Sequence, residues 1–254
     1  MAETALAEKK SFSLALTEKL DSVTDALPNG FNKARFVQNA LSLLNDNPSI
    51  AQYGQAQIIG GLMKGAYLGL DFYSKECYLI PYGKTLNYQT DYRGEKKLAK
   101  KYSIRPIRDI YAEIVREGDL FSIGIKDNEK VINFTPHPFN DGKVVGAFAV
   151  VEYEDGGIGT EVMSLAELEN TRKHSKASNS MAWKDFTSTM YKKTVLRRLC
   201  KQIEIDFENA TQRKTYDDEM AIETDPVELA AKEISENANS EELVFDADTG
   251  VVEE

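Results

Sequence analysis

Hydrophobic positions follow a helical period near the N-terminus of the chain. Residues 1–26 have weak helical spacing, and residues 31–46 have the pattern of an amphipathic helix. Asn47-Pro48-Ser49 ends that helix, and an Ala- and Gly-rich helix is predicted over roughly residues 50–67. The first quarter of the chain is therefore predicted to be helical.

After Gly69 the pattern changes to one that is typical of antiparallel strands. Segments 72–82 and 85–92 flank the turn Tyr82-Gly83-Lys84 and predict a hairpin, and a short basic helix is predicted at 95–102. Turn sequences then separate five more predicted strands, at 108–116, 119–125, 130–135, 143–153 and 159–163.

Helical spacing returns in the C-terminal part. Ser164 and Glu167 form a capping box for a helix at 164–174, and a long helix at about 183–202 is the last element that we expect to be well ordered. The predicted class is α+β: a helical N-terminal part, a central antiparallel sheet with a basic helix, and a long C-terminal helix. We expect a weakly ordered segment at 1–30, a core at 31–203, and a tail at 204–254 that is largely disordered apart from a short helix near 226–237.

Charge is distributed unevenly between the core and the tail. The chain has a formal net charge of −10, but residues 204–254 contain seventeen acidic and three basic residues and so carry −14. Residues 1–203 therefore carry a net +4. An acidic tail follows a mildly basic body, so the overall charge does not argue against binding to nucleic acid.

The sequence argues against several other classes of protein. No apolar run approaches the 18 or so residues of a membrane helix. Cys77 and Cys200 are far apart and have no metal or redox spacing, which favours two inert thiols in a reducing compartment. His137 and His174 have no metal-ligand spacing either.

The segment Gly83-Lys84-Thr85 resembles the end of a phosphate-binding loop, but Tyr78 occupies the position where such a loop needs its first glycine. A plain hairpin turn is favoured. We therefore expect no cofactor, no metal site and no catalytic residue. Surface carboxylates are the favoured interpretation of the many acidic residues.

Two groups of basic residues, each interleaved with aromatic side chains, are the candidate site. A row of phosphates requires spaced cations, and unpaired bases require flat side chains on which to stack. For either group alone, a solvated helix face is the more common meaning. The first group of candidate DNA-binding residues is Lys84, Tyr88, Gln89, Tyr92, Arg93, Lys96, Lys97 and Lys100, and the second is Arg172, Lys173, Lys176, Trp183, Lys192, Lys193, Arg197 and Arg198.

The long C-terminal helix strengthens the second group. At 100° per residue, Lys193, Arg197 and Lys201 form a ridge, and Lys192 falls inside the apolar arc on the opposite side. A lysine there must extend to solvent or line a groove. The apolar arc that should face the core consists of Val195, Leu196, Leu199 and Ile203.

Three separate motifs occur in an order that resembles the RecT family of phage single-strand annealing proteins. They are Tyr88-Gln89 through Tyr92-Arg93-Gly94 to Leu98-Ala99, then Pro136-His137-Pro138 with Gly142, and then Met163–Arg172 followed by Trp183 and Lys192–Leu199. The resemblance covers roughly residues 31–203. Arg93 stands where the family usually has lysine, and Ala182 where a proline commonly precedes the tryptophan.

The resemblance implies ATP-independent annealing of complementary strands by the 31–203 core, in a phage- or prophage-encoded protein of the bacterial cytoplasm. It also implies binding to single-stranded DNA and to annealed duplex intermediates, and self-assembly into rings or helical filaments. A 5′→3′ exonuclease and a host single-strand binding protein are the expected protein partners, with the tail as a docking segment.

Three alternatives remain open at this stage. The protein could protect single strands without annealing them, or cleave DNA with a carboxylate-bound metal. It could also be a structural assembly protein whose basic patches bind only its own acidic tail. Strand-pairing assays, Mg²⁺-dependent loss of a labelled strand, and DNA binding at low salt would separate these alternatives.

Overall fold

The computed structural model describes residues 2–126, 129–175, 178 and 181–224 of the chain. The chain divides into two compact units, Met1–Glu219 and Met220–Glu254. Of the second unit only residues 220–224 are described, so the short helix expected near 226–237 lies outside the described residues. The elements below belong to the first unit, except for the last turn of the final helix.

Helices form the N-terminal part: α1 (Ala2–Ser22), a 3₁₀ turn (Thr24–Ala26), α2 (Lys33–Asp46), α3 (Pro48–Ala51) and α4 (Gln55–Leu68). The side chain of Asn32 accepts a hydrogen bond from the Arg35 amide at 2.9 Å and so caps α2. Gly54 separates α3 from α4, where the sequence predicted one continuous helix. Within α1, residues four positions apart are buried, namely Phe12, Leu16 and Leu20.

The predicted strands all form, but they divide among three sheets. β1 (Cys77–Tyr82) and β2 (Thr85–Thr90) make the predicted hairpin, and β4 (Leu120–Lys126) and β5 (Glu129–Thr135) make a second one. β3 (Ile107–Arg116), β6 (Val144–Tyr153) and β7 (Ile158–Ser164) form a three-stranded antiparallel sheet with β6 in the middle. The α+β class is confirmed.

The central strand β6 is buried on both faces. Phe148 and Val150 pack with Val115 against the inward side chains of the β4–β5 hairpin, among them Phe121 and Phe134. The alternate residues Ala147 and Ala149 are also buried, and their small side chains let a helix approach the other face. That helix is α8 (Thr187–Cys200), which contacts all three strands.

Shorter helices complete the C-terminal part. The capping box predicted at Ser164 and Glu167 is present at the start of α6 (Leu165–His174). The predicted helix at 183–202 is interrupted at Phe186, which separates α7 (Met181–Asp185) from α8. The predicted core-facing arc is confirmed, because Val195, Leu196 and Leu199 of α8, and Ile203 just after its end, are all buried.

One further helix, α9 (Ala210–Thr224), follows where the sequence predicted the beginning of the tail. Tyr216 is buried, and Phe207 lies between the rings of Tyr102 and Tyr216, with centroids 4.9 Å and 5.2 Å away. The expectation that α8 is the last ordered element was wrong, because these aromatic contacts fix α9 to the rest of the unit. The division into regions 1–30, 31–203 and 204–254 remains a prediction.

Candidate nucleic-acid interface

The candidate interface is built on α5 (Tyr92–Tyr102), which is held closely against the β1–β2 hairpin. The Asp91 side chain accepts a hydrogen bond from the Arg93 amide at 3.3 Å and caps the helix. A Cβ atom at Gly94 would lie 2.3 Å from the carbonyl oxygen of Glu76. Only glycine therefore allows this approach, which explains the glycine after Tyr92-Arg93.

Two cations from the two predicted basic groups meet at one aromatic ring. The Lys193 Nζ atom lies 4.9 Å from the centroid of the Tyr92 ring, and the Arg93 guanidinium carbon lies 5.7 Å from it. Arg93 Nε donates to the Tyr92 hydroxyl at 3.3 Å, and Lys193 Nζ lies 3.4 Å from an Asp91 carboxylate oxygen. We call these four residues, Asp91, Tyr92, Arg93 and Lys193, the Tyr92 cluster.

Polar side chains of the β1–β2 hairpin adjoin the Tyr92 cluster. Gln89 is paired in register with Tyr78. Burial, followed by the nearby Asp91 carboxylate, raises the pKa of Tyr78, so its hydroxyl stays protonated and can donate a hydrogen bond. The hydrogen bond from Arg93 to the Tyr92 hydroxyl raises the pKa of the Arg93 guanidinium, which is exposed. The edge of the cluster therefore offers a permanent cation and hydrogen-bond donors to solvent.

Further cations extend the surface in two directions. Lys84 is exposed in the β1–β2 turn, and Lys96 is half-buried one turn along α5 from Arg93. On α8, Lys192 extends outward to an ion pair with Glu113 at 2.5 Å, and both side chains are nearly half-exposed. Of the two positions expected for this lysine, extension to solvent or lining a groove, extension toward solvent agrees with this ion pair.

Most other candidate cations lie beside carboxylates. Exposed pairs of this kind contribute little to stability, but they lower the positive potential that a phosphate would meet. The pairs are Lys97 with Glu76, Lys100 with Asp109, Arg172 with Glu169, and Arg198 with Glu161 and Glu167. The positive surface is therefore smaller than the sequence count indicated.

Arg197 has a structural position that the sequence did not indicate. Its Nε atom lies 2.5 Å from a carboxylate oxygen of Glu95 on α5, and its side chain also pairs at 3.6 Å with Glu219 on α9. Glu219 accepts a hydrogen bond from the Thr90 amide at 2.7 Å. Both acidic side chains are buried, so we call Glu95, Arg197 and Glu219 the buried charge centre. It interrupts the predicted ridge of Lys193, Arg197 and Lys201.

Two of the predicted stacking residues are buried in the core. Tyr88 packs edge-on against Phe72, and Trp183 packs edge-on against Tyr191 with centroids 6.1 Å apart. A base cannot reach either ring, so the core interpretation of Trp183 is the one that holds. Lys173 lies at the end of α6 and is exposed, and Lys176 lies outside the described residues.

The acidic residues of the interface are the ones that sequence reasoning missed. Asp91 precedes the helix start and has a recognisable capping signature, so it could have been identified. Nothing in the sequence places Glu95 and Glu219 together, because 124 positions separate them. Within the described part of the chain, no cluster of three or more His, Cys, Asp or Glu residues could hold a metal ion, and no helix is long and apolar enough to cross a membrane.

Comparison with known proteins relates the chain to a family and to a similar protein. The model of the RecT family matches residues 34–231 of the chain. The chain is also similar to Protein RecT of Escherichia coli strain K12, with 29% identity over 234 residues, which cover 87% of this chain and 86% of that protein. The family match includes nearly all of α2 and continues through α9, and it therefore contains the whole Tyr92 cluster.

Proposed function

The chain belongs to the RecT family of DNA recombination proteins, and from this premise we propose that it binds single-stranded DNA and anneals complementary strands without ATP. The observation that carries the proposal is the Tyr92 cluster. Two cationic groups that are 100 positions apart in the sequence converge on one aromatic ring there.

The geometry of the cluster suits an unpaired strand. Arg93 and Lys193 provide cations for successive phosphates, and the planar Arg93 guanidinium offers a face on which a base can stack. Lys193 is held by Asp91 only at 3.4 Å, so a phosphate can replace the carboxylate as its partner. Neighbouring residues would continue the contacts on either side, namely Lys84, Gln89, Lys96 and Lys192. This surface excludes Arg197, Tyr88 and Trp183.

The proposed mechanism is physical and needs no catalytic residue. Cations that neutralise phosphates reduce the repulsion between two strands, and contacts to the backbone leave the base edges accessible. Watson–Crick pairing then supplies the specificity. On this mechanism the protein binds the annealed intermediate as well as the single strand.

The wider setting is also part of the proposal. We propose that the 31–203 region is the annealing core, that copies of the chain assemble into rings or filaments, and that a 5′→3′ exonuclease and a host single-strand binding protein are partners. The 204–254 region would contribute partner docking beyond α9. The proposed setting is the bacterial cytoplasm, for a phage or prophage protein.

The test uses complementary oligonucleotides in buffer without ATP. The protein should pair them faster than they pair alone, and Arg93→Ala/Lys193→Ala should weaken binding to poly-dT and to mixed sequence equally. The plot of log affinity against log salt should become less steep by about 1.4, since each phosphate that a cation neutralises contributes roughly 0.7. The matched control is Lys10→Ala/Lys130→Ala, which removes two exposed lysines outside the candidate surface and should leave the slope unchanged.

Three outcomes would contradict the proposal in different ways. Binding without faster pairing would indicate a strand-protecting protein. Mg²⁺-dependent loss of a labelled strand would show a nuclease. A double variant that folds and keeps the affinity and salt slope of the parent would show that the Tyr92 cluster is a solvated face.

A further inference from the structure

The loop between β5 and β6 presents one aromatic side chain entirely to solvent. Phe139 has a φ angle of +56°, in the left-handed region that a residue with a bulky side chain adopts only under constraint. Its ring is fully exposed. An exposed aromatic residue in a strained backbone conformation points to an interaction, because neither feature helps the isolated chain.

Hydrogen bonds hold the loop in this conformation. One carboxylate oxygen of Asp119 accepts from the His137 amide at 2.9 Å and from the Asn140 side chain at 2.7 Å. The Asn140 side chain also donates to the Glu117 carbonyl and accepts from the Gly142 amide. These hydrogen bonds therefore fix the backbone on both sides of Phe139.

A groove that could receive such a side chain lies between α1, α4 and α9. Its volume is about 940 Å³, enough for an aromatic ring and the loop residues beside it. Its floor is largely apolar and includes Ile59, Met63 and Tyr67. Three lysines, Lys19, Lys64 and Lys214, surround it, and none has an ion-pair partner among the residues that the structure describes.

The two surfaces are complementary in charge as well as in polarity. Three acidic residues, Glu117, Asp119 and Asp141, flank the Phe139 loop, with Lys143 and Arg116 opposing them. The groove has its three lysines and one acidic residue, Asp218. We propose that Phe139 of one copy of the chain inserts into the α1/α4/α9 groove of a second copy, with the acidic flank of the loop facing the lysines.

Within one chain, the Phe139 loop and the α1/α4/α9 groove are connected to different parts of α8. Arg116 donates to the Gly142 carbonyl of the loop at 2.7 Å and to Ser188, at the start of α8, at 3.2 Å. On the side of the groove formed by α9, Glu219 pairs with Arg197 of α8. Arg197 follows Ser188 by nine residues, so the two attachment points are about 14 Å apart along α8 at 1.5 Å per residue. A contact between different surfaces of two copies repeats head to tail and builds a ring or a filament.

This inference deepens the proposed function, because it rests on the proposed self-assembly and names its interface. Its first test is cross-linking in the absence of DNA. Pro138→Cys and Gly60→Cys variants, both of which keep the Phe139 ring, are prepared separately, mixed and mildly oxidised. Pro138 is exposed next to Phe139 in the loop. Gly60 lines the groove, and a Cβ atom there meets nothing within 4 Å, so the cysteine fits. Burial raises the pKa of the native Cys77 and Cys200 thiols, which therefore stay unreactive.

A disulfide-linked dimer should form in this mixture and not in a control mixture of Ile158→Cys with Gly60→Cys. Ile158 is exposed on β7 and is not part of the loop or the groove. Equal dimer yields in the two mixtures, or none in either, would overturn the interface.

The second test removes the Phe139 ring and at the same time relieves the backbone strain at this position. Phe139→Gly should shift sedimentation to smaller species at the same concentration, without lowering the melting temperature, because glycine tolerates positive φ. Lys64→Glu should shift it in the same direction. An unchanged size distribution in both variants contradicts the proposal. Affinity for an oligonucleotide short enough for one copy should stay within about twofold of the parent, so failure of the interface and failure of the DNA-binding proposal remain distinguishable.

Discussion

Lys193 of the Tyr92 cluster and Arg197 of the buried charge centre lie one helical turn apart on α8. Each of these cations lies close to a carboxylate and to a residue of α5. In the Tyr92 cluster, Lys193 lies 3.4 Å from Asp91 over a half-buried ring. In the buried charge centre, Arg197 lies 2.5 Å from Glu95, whose side chain is inaccessible to solvent. The difference between them is burial. A cation that solvent reaches can exchange its carboxylate for a phosphate, whereas a buried one cannot do so without leaving two acids uncompensated.

This comparison changes how the basic residues of α8 are interpreted. Helical spacing places Lys193 and Arg197 on one face and treats them as equivalent. The structure separates them, because α9 covers Arg197 through Glu219 and leaves Lys193 at the edge. The number of cations on a helix face therefore overestimates the surface that DNA can contact.

The largest expected effect comes from Arg197→Ala. Removing the guanidinium leaves Glu95 and Glu219 buried without their shared cation, which should lower the free energy of unfolding by about 3–5 kcal/mol. Urea denaturation followed by Trp183 fluorescence measures this change. Lys193→Ala is the matched control, and it should cost under about 1 kcal/mol because its ion pair is partly exposed. Equal losses of stability in the two variants would remove the distinction between the two regions.

Gly94→Ala should have the next largest effect. The added methyl group would meet the Glu76 carbonyl oxygen at 2.3 Å and push α5 away from the hairpin, which should cost about 1–3 kcal/mol. Because α5 supplies residues to both regions, DNA affinity should fall as well. Gly60→Ala on α4 is the control, since a Cβ atom there meets nothing within 4 Å. It should be stabilising by up to about 1 kcal/mol. If Gly60→Ala is also destabilising, the loss of stability in Gly94→Ala cannot be assigned to the steric clash with Glu76.

The smallest expected effect is that of removing the tail after Thr224. This truncation keeps Glu219, so the fold should persist, and DNA affinity at low salt should stay equal or rise because ten acidic residues are removed. A second truncation, after Tyr216, removes Glu219 and should destabilise the fold. Thermal melting and binding to poly-dT measure both. Loss of DNA binding by a folded protein that ends at Thr224 would place essential residues in the tail.

Sequence reasoning succeeded for features that depend on neighbouring residues. Strand-like runs bounded by turn sequences located every strand that the structure describes, the Ser164–Glu167 capping box was correct, and the core-facing arc of α8 was correct. It failed where the decisive partner is distant. Glu219 determines the role of Arg197. Phe207 connects Tyr216 of α9 to Tyr102, which lies more than 100 positions earlier. Local patterns contain no information about such partners, because the fold brings them together.

The hydrogen bond between Glu219 and the Thr90 amide has a consequence for the order of events during protein synthesis. Because 129 residues separate the two groups, the end of strand β2 lacks this contact until nearly all of the first unit has left the ribosome. The backbone hydrogen bonds from Ile104 to Glu204 and from Asp206 to Tyr102 also join distant residues, so they too form late. Contacts over such separations slow folding, because a long loop must close before they form. The proposed DNA-binding surface of a nascent chain would therefore form last, after α9, which covers Arg197, has been translated.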